Sequence, residues 1–261
     1  MTGSTLEYAT KNYTGHLRKA LENIAAGRLS AVHFFMTTLS YRIMGICALL
    51  RQSDRTAFAA MLSKAGNARA EFLRLVSQGL NAPPKYVCAS KNIGFSAALA
   101  AGDIDAARQI ASLSPRSHFQ DVEYEDDFLF FHFLHRILVE PEDAEELNRL
   151  AARWAIVLEG GTSGYLDVCR ALLPGNGGDF EDGFDSLIQS RRRQLEEYKE
   201  TVGFDEEMFA AEGKIYIEGL AVLRIAGMRG LSASGEYRLI PDIARVPQGT
   251  PLPSPEAWRT L

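Results

Sequence analysis

Apolar residues recur every three or four positions along most of the chain, which is the period of an amphipathic α-helix. The stretch 17–24 predicts a first helix ended by Gly27, and Ser30 can cap a second helix that reaches about Leu50. Asp54 can cap a third helix, whose apolar stripe follows directly. The first third of the chain is therefore predicted to be helical.

Beyond a break at the Pro83–Pro84 pair, the pattern predicts a short helical hairpin. Its first helix, Ala97–Ala101, ends at Gly102; Asp103 starts the second helix, and Pro115 ends it. Further helices are predicted at 121–139, 142–158, 165–173, 181–202 and 205–228. Helical hairpins are thus the unit from which we expect the fold to be built.

The last thirty residues differ in character from the rest of the chain. The segment EYRLIPDIARVPQGTPLPSPEAW carries five prolines and has no helical period. Alternation long enough to predict a sheet is also absent. The sequence predicts one all-α domain of about ten helices, in which residues 1–230 form a helical bundle and residues 231–261 form an irregular Pro-rich tail packed on it.

Composition narrows the class of partner. The chain has 261 residues, of which 46% are hydrophobic, and its formal net charge is −5. That size and composition are typical of a globular protein with a substantial buried core. The acidic balance argues against a nucleic-acid ligand and favours a basic partner.

Three features predict a cytoplasmic protein that does not span a membrane. Cys47, Cys88 and Cys169 match no zinc spacing and are sparse, as reduced thiols usually are. The first residues lack the basic and apolar regions of a signal peptide. The most apolar stretch, 31–50, is interrupted by polar residues that include Arg42, so it predicts a buried helix.

The segment VEYEDDFLFFHFLHRIL (122–138) places carboxylates beside His132 and His135, the residue types of a metal or acid–base site. A carboxylate-bridged metal site built on helices needs a Glu three residues before the His. Leu129 stands three residues before His132, and His132 itself stands three residues before His135. The segment therefore offers only a pair of histidines.

The same segment fits a core helix with a charged start. Successive helical residues turn by about 100°, which places the large apolar residues on one broad face and both histidines on the other side. The apolar residues are Phe130, Phe131, Phe133, Leu134, Ile137 and Leu138. The carboxylates crowd into the first turns, where they face the positive end of the helix dipole. We therefore predict no active site here.

Two glycine-rich segments fail the motifs that they resemble superficially. In GNGGDFEDGFD (175–185), a calcium loop would need oxygen ligands where Gly178 and Phe180 stand. In EGGTSGYLD (159–167), Tyr165 occupies the place of the phosphate-loop lysine and of the second glycine of a nucleophile elbow. We predict no catalytic residue, no metal site and no cofactor.

The order of four segments resembles the Immunity protein 49 family. The segments are EYEDDFLFFHFLHRIL, GYLDVCRALL, YIEGLAVLRIAGMRGL and EYRLIPDIARVP. The likeness extends from about Arg42 to about Trp258 and is clearest over 123–245. It implies an all-helical antidote, encoded beside a bacterial polymorphic or contact-delivered toxin, that inhibits the toxin by stoichiometric binding and active-site occlusion. It carries over no catalytic residue.

Two acidic groups are the predicted partner-binding residues. The first acidic group is Glu123, Glu125 and Asp126, and the second acidic group is Asp179, Glu181, Asp182 and Asp185. Toxins that act on nucleic acids or nucleotides and bind phosphate present basic grooves, in which carboxylates can take the phosphate positions. The expected partner is therefore a basic toxin encoded nearby.

Two other classes of protein stay open at this point. One is a helical-repeat scaffold that binds cellular partners, since the hairpin construction suits such a module. The other is an α-helical metal-dependent enzyme whose ligands come from distant helices. A gene neighbourhood without a toxin would favour the scaffold, and tightly bound metal in the purified protein would favour the enzyme.

Overall fold

The computed structural model describes residues 2–173 and 176–261, and these residues confirm the all-α prediction. The α-helices are α1 Thr2–Ala25, α2 Ala31–Gln52, α3 Arg55–Ser77, α4 Pro84–Val87, α5 Ile93–Ala101, α6 Ile104–Leu113, α7 Glu125–Val139, α8 Ala144–Val157, α9 Gly164–Ala171, α10 Phe180–Lys199, α11 Glu206–Glu212 and α12 Ile217–Met228. Within these ranges the β-structure is limited to one isolated antiparallel bridge, between Tyr237 and Ile240.

Several helix starts lie where the sequence predicts them. Ser30, Asp54 and Asp103 each accept a hydrogen bond from the backbone N–H three residues later, at 3.3, 2.8 and 3.2 Å. Gly102, which ends α5, has the left-handed φ of 84° that an L-residue rarely adopts. These boundaries are set by residues inside the same short segment, which explains why local sequence predicts them.

The helices α1, α2 and α3 pack side by side, and α3 also carries α5 and α6. α3 and α5 approach closely because both present small residues: a Cβ added to Gly66 would lie 2.7 Å from the Cβ of Ala98. A buried core extends from Leu6 in α1 to Trp258. The two ends of the described chain therefore contribute to the same core.

Among the described helices, α2 is the one long and apolar enough to cross a membrane by length and composition. Most of its apolar window is buried inside the protein, where α1, α3 and α11 pack against it. This position agrees with the prediction that the stretch 31–50 is a core helix.

The predicted single helix over 205–228 is wrong, because the structure divides it into α11 and α12. The chain leaves α11 at Gly213, and the backbone N–H of Tyr216 donates to the carbonyl oxygen of Leu239 at 2.8 Å instead of to its own helix. A Cβ at Gly213 would lie 2.5 Å from the carbonyl oxygen of Phe209, so only glycine fits this close turn. The apolar period alone carries no sign of the break.

The Pro-rich tail is irregular, as predicted, apart from short 3-10 turns at Asp242–Ala244 and Pro255–Arg259. Trp258 is buried against Phe34 of α2, with ring centroids 5.8 Å apart. The hydroxyl of Tyr41 lies 2.9 Å from the carbonyl oxygen of Trp258 and 2.7 Å from that of Thr260. The tail is therefore fastened onto α2.

Candidate functional site

Helix α7 is enclosed on all sides, which corrects the predicted position of its histidines. Every residue from Phe128 to Leu138 is buried except the half-buried Arg136. His132 and His135, expected on the side away from the core, are only 5% and 3% exposed. The cause lies in the tertiary structure. Because α6, α8 and α9 pack around α7, this part of the helix has no free face.

The two histidines act as core rings. His132 stacks on Phe128 with centroids 5.0 Å apart, and His135 meets Phe95 of α5 edge-on at 4.4 Å. Burial lowers the pKa of His132 to about 4 and that of His135 to about 3, so both rings are neutral at pH 7. Neither ring nitrogen of His135 has a hydrogen-bond partner in the described chain. No group of three His, Cys, Asp or Glu side chains among the described residues could hold a metal ion.

Glu123 of the first acidic group points inward and braces the loop before α7. Its carboxylate accepts hydrogen bonds from the backbone N–H of Ser90 at 2.9 Å and of Phe119 at 3.3 Å. A ring nitrogen of His118 lies 2.8 Å from its carbonyl oxygen. These contacts hold residues 118–124 in a loop, so α7 begins at Glu125 rather than near the predicted Asp121. Glu123 is 8% exposed and is not available to a partner.

The rest of the first acidic group divides between internal and exposed positions. Glu125 is half-buried, and Arg153 of α8 donates to its two carboxylate oxygens at 2.7 and 2.8 Å. Arg153 thereby lowers the pKa of Glu125. Asp126 is exposed. Only one member of this group is therefore fully presented to solvent.

Glu181 of the second acidic group holds the tail. Its Oε1 accepts hydrogen bonds from the backbone N–H and hydroxyl of Ser234, at 3.0 and 2.8 Å, and from the backbone N–H of Gly235 at 3.2 Å. Because these donors favour the charged carboxylate, they lower the pKa of Glu181. Glu181 thus joins α10 to residues 234–235. Gly175, the first residue of this glycine-rich segment, lies outside the described residues.

Asp179, Asp182 and Asp185 are exposed at the start of α10. A spacing of three residues places them next to one another on one side of the helix. None of them forms an ion pair with a residue in the described ranges. Burial and the nearby Asp185 carboxylate raise the pKa of the Tyr237 hydroxyl. We call these three residues the α10 acidic face.

The opposite side of α10 is fixed to the protein. Phe180, Phe184 and Leu187 are buried, and Gly183 lies so close to α9 that an added Cβ would be 3.1 Å from the backbone of Asp167. The α10 acidic face is therefore carried by a firmly packed helix. No hydrogen bond or ion pair within the described residues links it to the first acidic group.

A buried ion cluster, missed by the sequence analysis, joins α2 to α11 and α12. Arg42 is 2% exposed, and it donates from Nε to Glu212 at 2.6 Å and from Nη1 to Glu218 at 2.7 Å. Although burial raises the pKa of Glu218, the Arg42 charge outweighs it and the pKa lies below its ordinary value. A charged residue inside the apolar stretch 31–50 was the available signal, since a buried guanidinium requires carboxylates.

The break between α11 and α12 makes this cluster possible. On one continuous helix, residues six positions apart differ in direction by about 240° and in height by about 9 Å. Glu212 and Glu218 could not then both reach Arg42. The break turns both half-buried carboxylates toward the same guanidinium, and their pairing with the buried Arg42 assigns them to the fold rather than to a partner surface.

The cysteines match their prediction. Cys47, Cys88 and Cys169 are free and buried. Burial raises the pKa of Cys47 and of Cys169, so their thiols stay protonated at pH 7. They behave as small apolar side chains.

A cleft of about 430 Å³ lies between the ends of α7 and α12 and the surface of α6. Ile137, Leu138 and Ile225 form apolar parts of its lining, and Arg108 and Arg229 supply the positive charge. Its volume is in the range of small-molecule sites. None of the predicted site residues lines it, so the cleft and the two acidic groups are separate features.

The chain was compared with protein-family models, with curated proteins and with solved structures, and no match was found in any of the three. The resemblance to the Immunity protein 49 family therefore stays a prediction. Three features of the described residues bear on function: the α10 acidic face is exposed, α7 is enclosed by other helices, and the thiols are buried.

Proposed function

We propose that this chain is an immunity protein: a non-catalytic, cytoplasmic inhibitor that binds a co-encoded bacterial toxin one-to-one and covers its active site. The resemblance described above supplies the class. The exposed carboxylates of the α10 acidic face, Asp179, Asp182 and Asp185, which form no ion pair with a described residue, are the observation that supports it most. Their partner would be a basic protein, as the net charge of −5 also favours.

The predicted binding residues differ in how far their carboxylates are engaged within the protein. The carboxylates of Glu123 and Glu181 accept hydrogen bonds from backbone N–H groups, and Glu125 forms an ion pair with Arg153. Asp126 and the α10 acidic face are exposed. We therefore propose α10 as the main contact. Glu123 and Glu181 hold a loop and the tail in place, and Glu125 joins α7 to α8.

The α10 acidic face has the physical properties that such an inhibitor needs. Three neighbouring carboxylates without internal cations repel one another, and a basic surface relieves that repulsion on binding. A toxin groove that binds phosphate is lined by Arg and Lys, so carboxylates fit the same positions. Attraction between opposite charges also speeds association, which matters when an inhibitor must act before the toxin does.

The helix dipole offers an explanation other than partner binding for the acidic residues at the start of α10. The N-terminus of α10 carries a partial positive charge that favours Asp and Glu, whether or not a partner binds. That effect is confined to the first turn. Asp185 lies in the second turn of α10, beyond its range, and is the residue that best separates the two explanations.

The experiment is charge reversal with a matched control on the same helix. The test variant changes Asp179, Asp182 and Asp185 to Lys. The control variant changes Glu196, Glu197 and Glu200, exposed near the other end of α10, to Lys and alters the net charge by the same amount. Each protein is co-expressed with the toxin encoded next to it, and cell survival, toxin affinity and association rate at low and high salt are measured.

The test variant is expected to lose protection and to associate more slowly than the control at low salt. Its stability should fall only by the lost charge–dipole contacts of Asp179 and Asp182, each worth about 0.3–1 kcal/mol, so that the variant stays folded at the assay temperature. If both variants protect cells equally and bind with the same affinity, the α10 acidic face is not the contact. If the wild-type protein binds no product of the neighbouring genes and instead retains a cellular protein, the scaffold class replaces the immunity class.

A further inference from the structure

Arg69 of α3 is a buried cation without a counter-ion. It is 7% exposed, and no carboxylate in the described ranges lies within ion-pair distance of it. Its Nη1 donates to the carbonyl oxygen of Tyr86 and its Nη2 to that of Val87 at 3.5 Å. Its Nε–H has no acceptor among the described residues. A buried charge normally carries a paired charge, so this site is incomplete as it stands.

Arg69 lines a narrow notch between α2, α5 and the α4 segment. Phe35, Tyr86 and Lys91 line the notch with it, and its volume is about 10 Å³. By this measure a water molecule needs about 10–15 Å³, so the notch admits one oxygen-sized atom. Gly94 of α5 packs directly on the side chain of Arg69, where any Cβ would overlap it, and this contact holds the arginine arm in place.

Two further cations lie near the notch, each beside an aromatic ring that lines it. Lys91 lines the notch itself, with its Nζ 5.4 Å from the ring centroid of Phe35, and the Nζ of Lys85 lies 5.3 Å from the ring centroid of Tyr86. Neither ammonium group forms an ion pair or a hydrogen bond with a described residue. Two cations and two half-exposed rings therefore line this small opening, and a third cation lies beside one of the rings.

We propose that this notch binds a carboxylate group, presented by an acidic side chain of a protein that docks on this face. One carboxylate oxygen enters the notch and accepts the Nε–H of Arg69, while the other oxygen remains at the rim beside Lys91. A phosphate group has too many oxygens for the opening. The flanking Phe35 and Tyr86 supply the apolar contact that surrounds such an anchor in protein interfaces.

This assignment does not depend on the proposed function. The α10 acidic face would meet a basic surface, whereas the Arg69 notch would take an acidic residue, and each can fail without the other. One water molecule in the notch is the competing occupant, since it would satisfy the Nε–H without neutralising the charge.

The test follows the arginine Nε–H signals of the ¹⁵N-labelled protein by NMR at constant ionic strength. Sodium formate is the free carboxylate probe, sodium chloride is the salt control, and a short capped peptide with one central Glu represents a side chain. Arg42, whose Nε already donates to Glu212, is the internal reference. The Arg69 signal should move saturably with formate and with the peptide, half-saturating at a concentration at least tenfold below that at which the Arg42 signal responds.

Substitutions of nearby lysines test whether formate binds at the Arg69 notch. Lys91→Met and Lys85→Met leave Arg69 in place and should weaken formate binding by about two- to fivefold each, the effect of one partly exposed charge pair. Lys11→Met, at an exposed lysine on α1, is the matched control and should change nothing.

Three results overturn the proposal. An Arg69 signal that responds identically to formate and chloride would mean that carboxylate is not recognised. A signal that does not respond to either salt would leave water as the occupant. Saturation with formate but none with the peptide would limit the notch to free small acids and would exclude an acidic side chain of a protein partner.

Discussion

The two buried arginines of neighbouring helices, Arg42 in α2 and Arg69 in α3, solve the same physical problem differently. Arg42 lies between two carboxylates, at 2.6 and 2.7 Å. Arg69 donates only to backbone carbonyl oxygens and lies over the ring of Phe72, 5.4 Å from its centroid, and its burial lowers its pKa to about 10. The guanidinium of Arg42 has anionic partners, so its site is complete; that of Arg69 has none within ion-pair distance among the described residues, so its site is incomplete and keeps an unbalanced positive charge at pH 7.

The two arginines also differ in whether the polar groups around them have partners. Arg42 is enclosed by a cluster that required a helix break to assemble. Arg69 lies near His135, whose pKa it helps to lower and whose two ring nitrogens have no partner in the described chain. Unsatisfied polar groups are costly, so proteins keep few of them. The Arg42 site therefore serves stability, whereas the Arg69 site has a donor left for the proposed ligand.

The largest effect is expected from breaking the complete site. Arg42→Met leaves two half-buried carboxylates without this cation, and loss of one partner of a buried ion pair costs about 3–5 kcal/mol. The free energy of unfolding from urea denaturation measures this. A triple variant that also carries Glu212→Gln and Glu218→Gln should recover part of the loss. A cost of Arg42→Met below about 1 kcal/mol would mean that the cluster contributes little.

The second largest effect is expected from acid, which should lower the free energy of unfolding through the histidines of α7. Below pH 6.5 the unfolded chain protonates both histidines, whereas His132 and His135 stay neutral in the fold down to about pH 4 and 3. The unfolded state then binds more protons, so stability falls as pH falls. Between pH 6.5 and 5 the two rings together should cost about 2–3 kcal/mol.

The control for this pH effect is the double variant His132→Gln/His135→Gln. Asp127, whose pKa is raised to about 6 by burial, Asp126 and Glu123, takes up a proton in the fold and acts in the opposite direction. Because Asp127 is present in both proteins, the difference between their stability–pH curves isolates the histidines. Parallel curves would show that the rings titrate in the fold as they do when unfolded.

A smaller effect is expected at the incomplete site. Arg69→Met loses two backbone hydrogen bonds, each worth about 1 kcal/mol, but it also removes a buried charge that nothing neutralises. We expect a net cost of about 1 kcal/mol or less, well below that of Arg42→Met. Urea denaturation of the two single variants side by side decides the point. Equal costs would remove the distinction between the two sites.

The smallest effect should come from His135→Leu. Leu has nearly the volume of His and brings no polar atoms, so the substitution removes two unpaired ring nitrogens and loses only the edge-on contact with Phe95. The unfolding free energy at pH 7 should be unchanged or slightly higher. A loss above about 2 kcal/mol would show that a ring nitrogen of His135 makes a stabilising polar interaction.

The elements that sequence predicts well are those whose cause lies within a few residues. Ser30, Asp54 and Asp103 each cap a backbone N–H only three positions away, and Gly102 adopts its φ without help from other segments. Apolar spacing likewise predicts an all-α fold, because helical period is a local property. The enclosure of α7 was missed because it depends on three other helices.

The candidate site was harder to predict because its members are distinguished by distant partners. Glu123 and Asp126 are near neighbours in one acidic run, yet only Glu123 meets the backbone of Ser90, 33 positions earlier. Glu181 and Asp182 differ in the same way, since Glu181 alone reaches Ser234, 53 positions later. No local pattern separates a carboxylate that is held by a distant segment of backbone from one that has no such contact.

The fastening of the tail onto α2 has a consequence for how the chain folds during synthesis. The Tyr41 hydroxyl meets a carbonyl oxygen 217 positions later, and Trp258 covers Phe34. Contacts this distant in sequence close a very large loop, and they form late because the loop entropy must be overcome first. On the ribosome, α2 therefore keeps an exposed aromatic surface until residues 258–260 emerge, and this nascent surface is where a chaperone would be expected to bind.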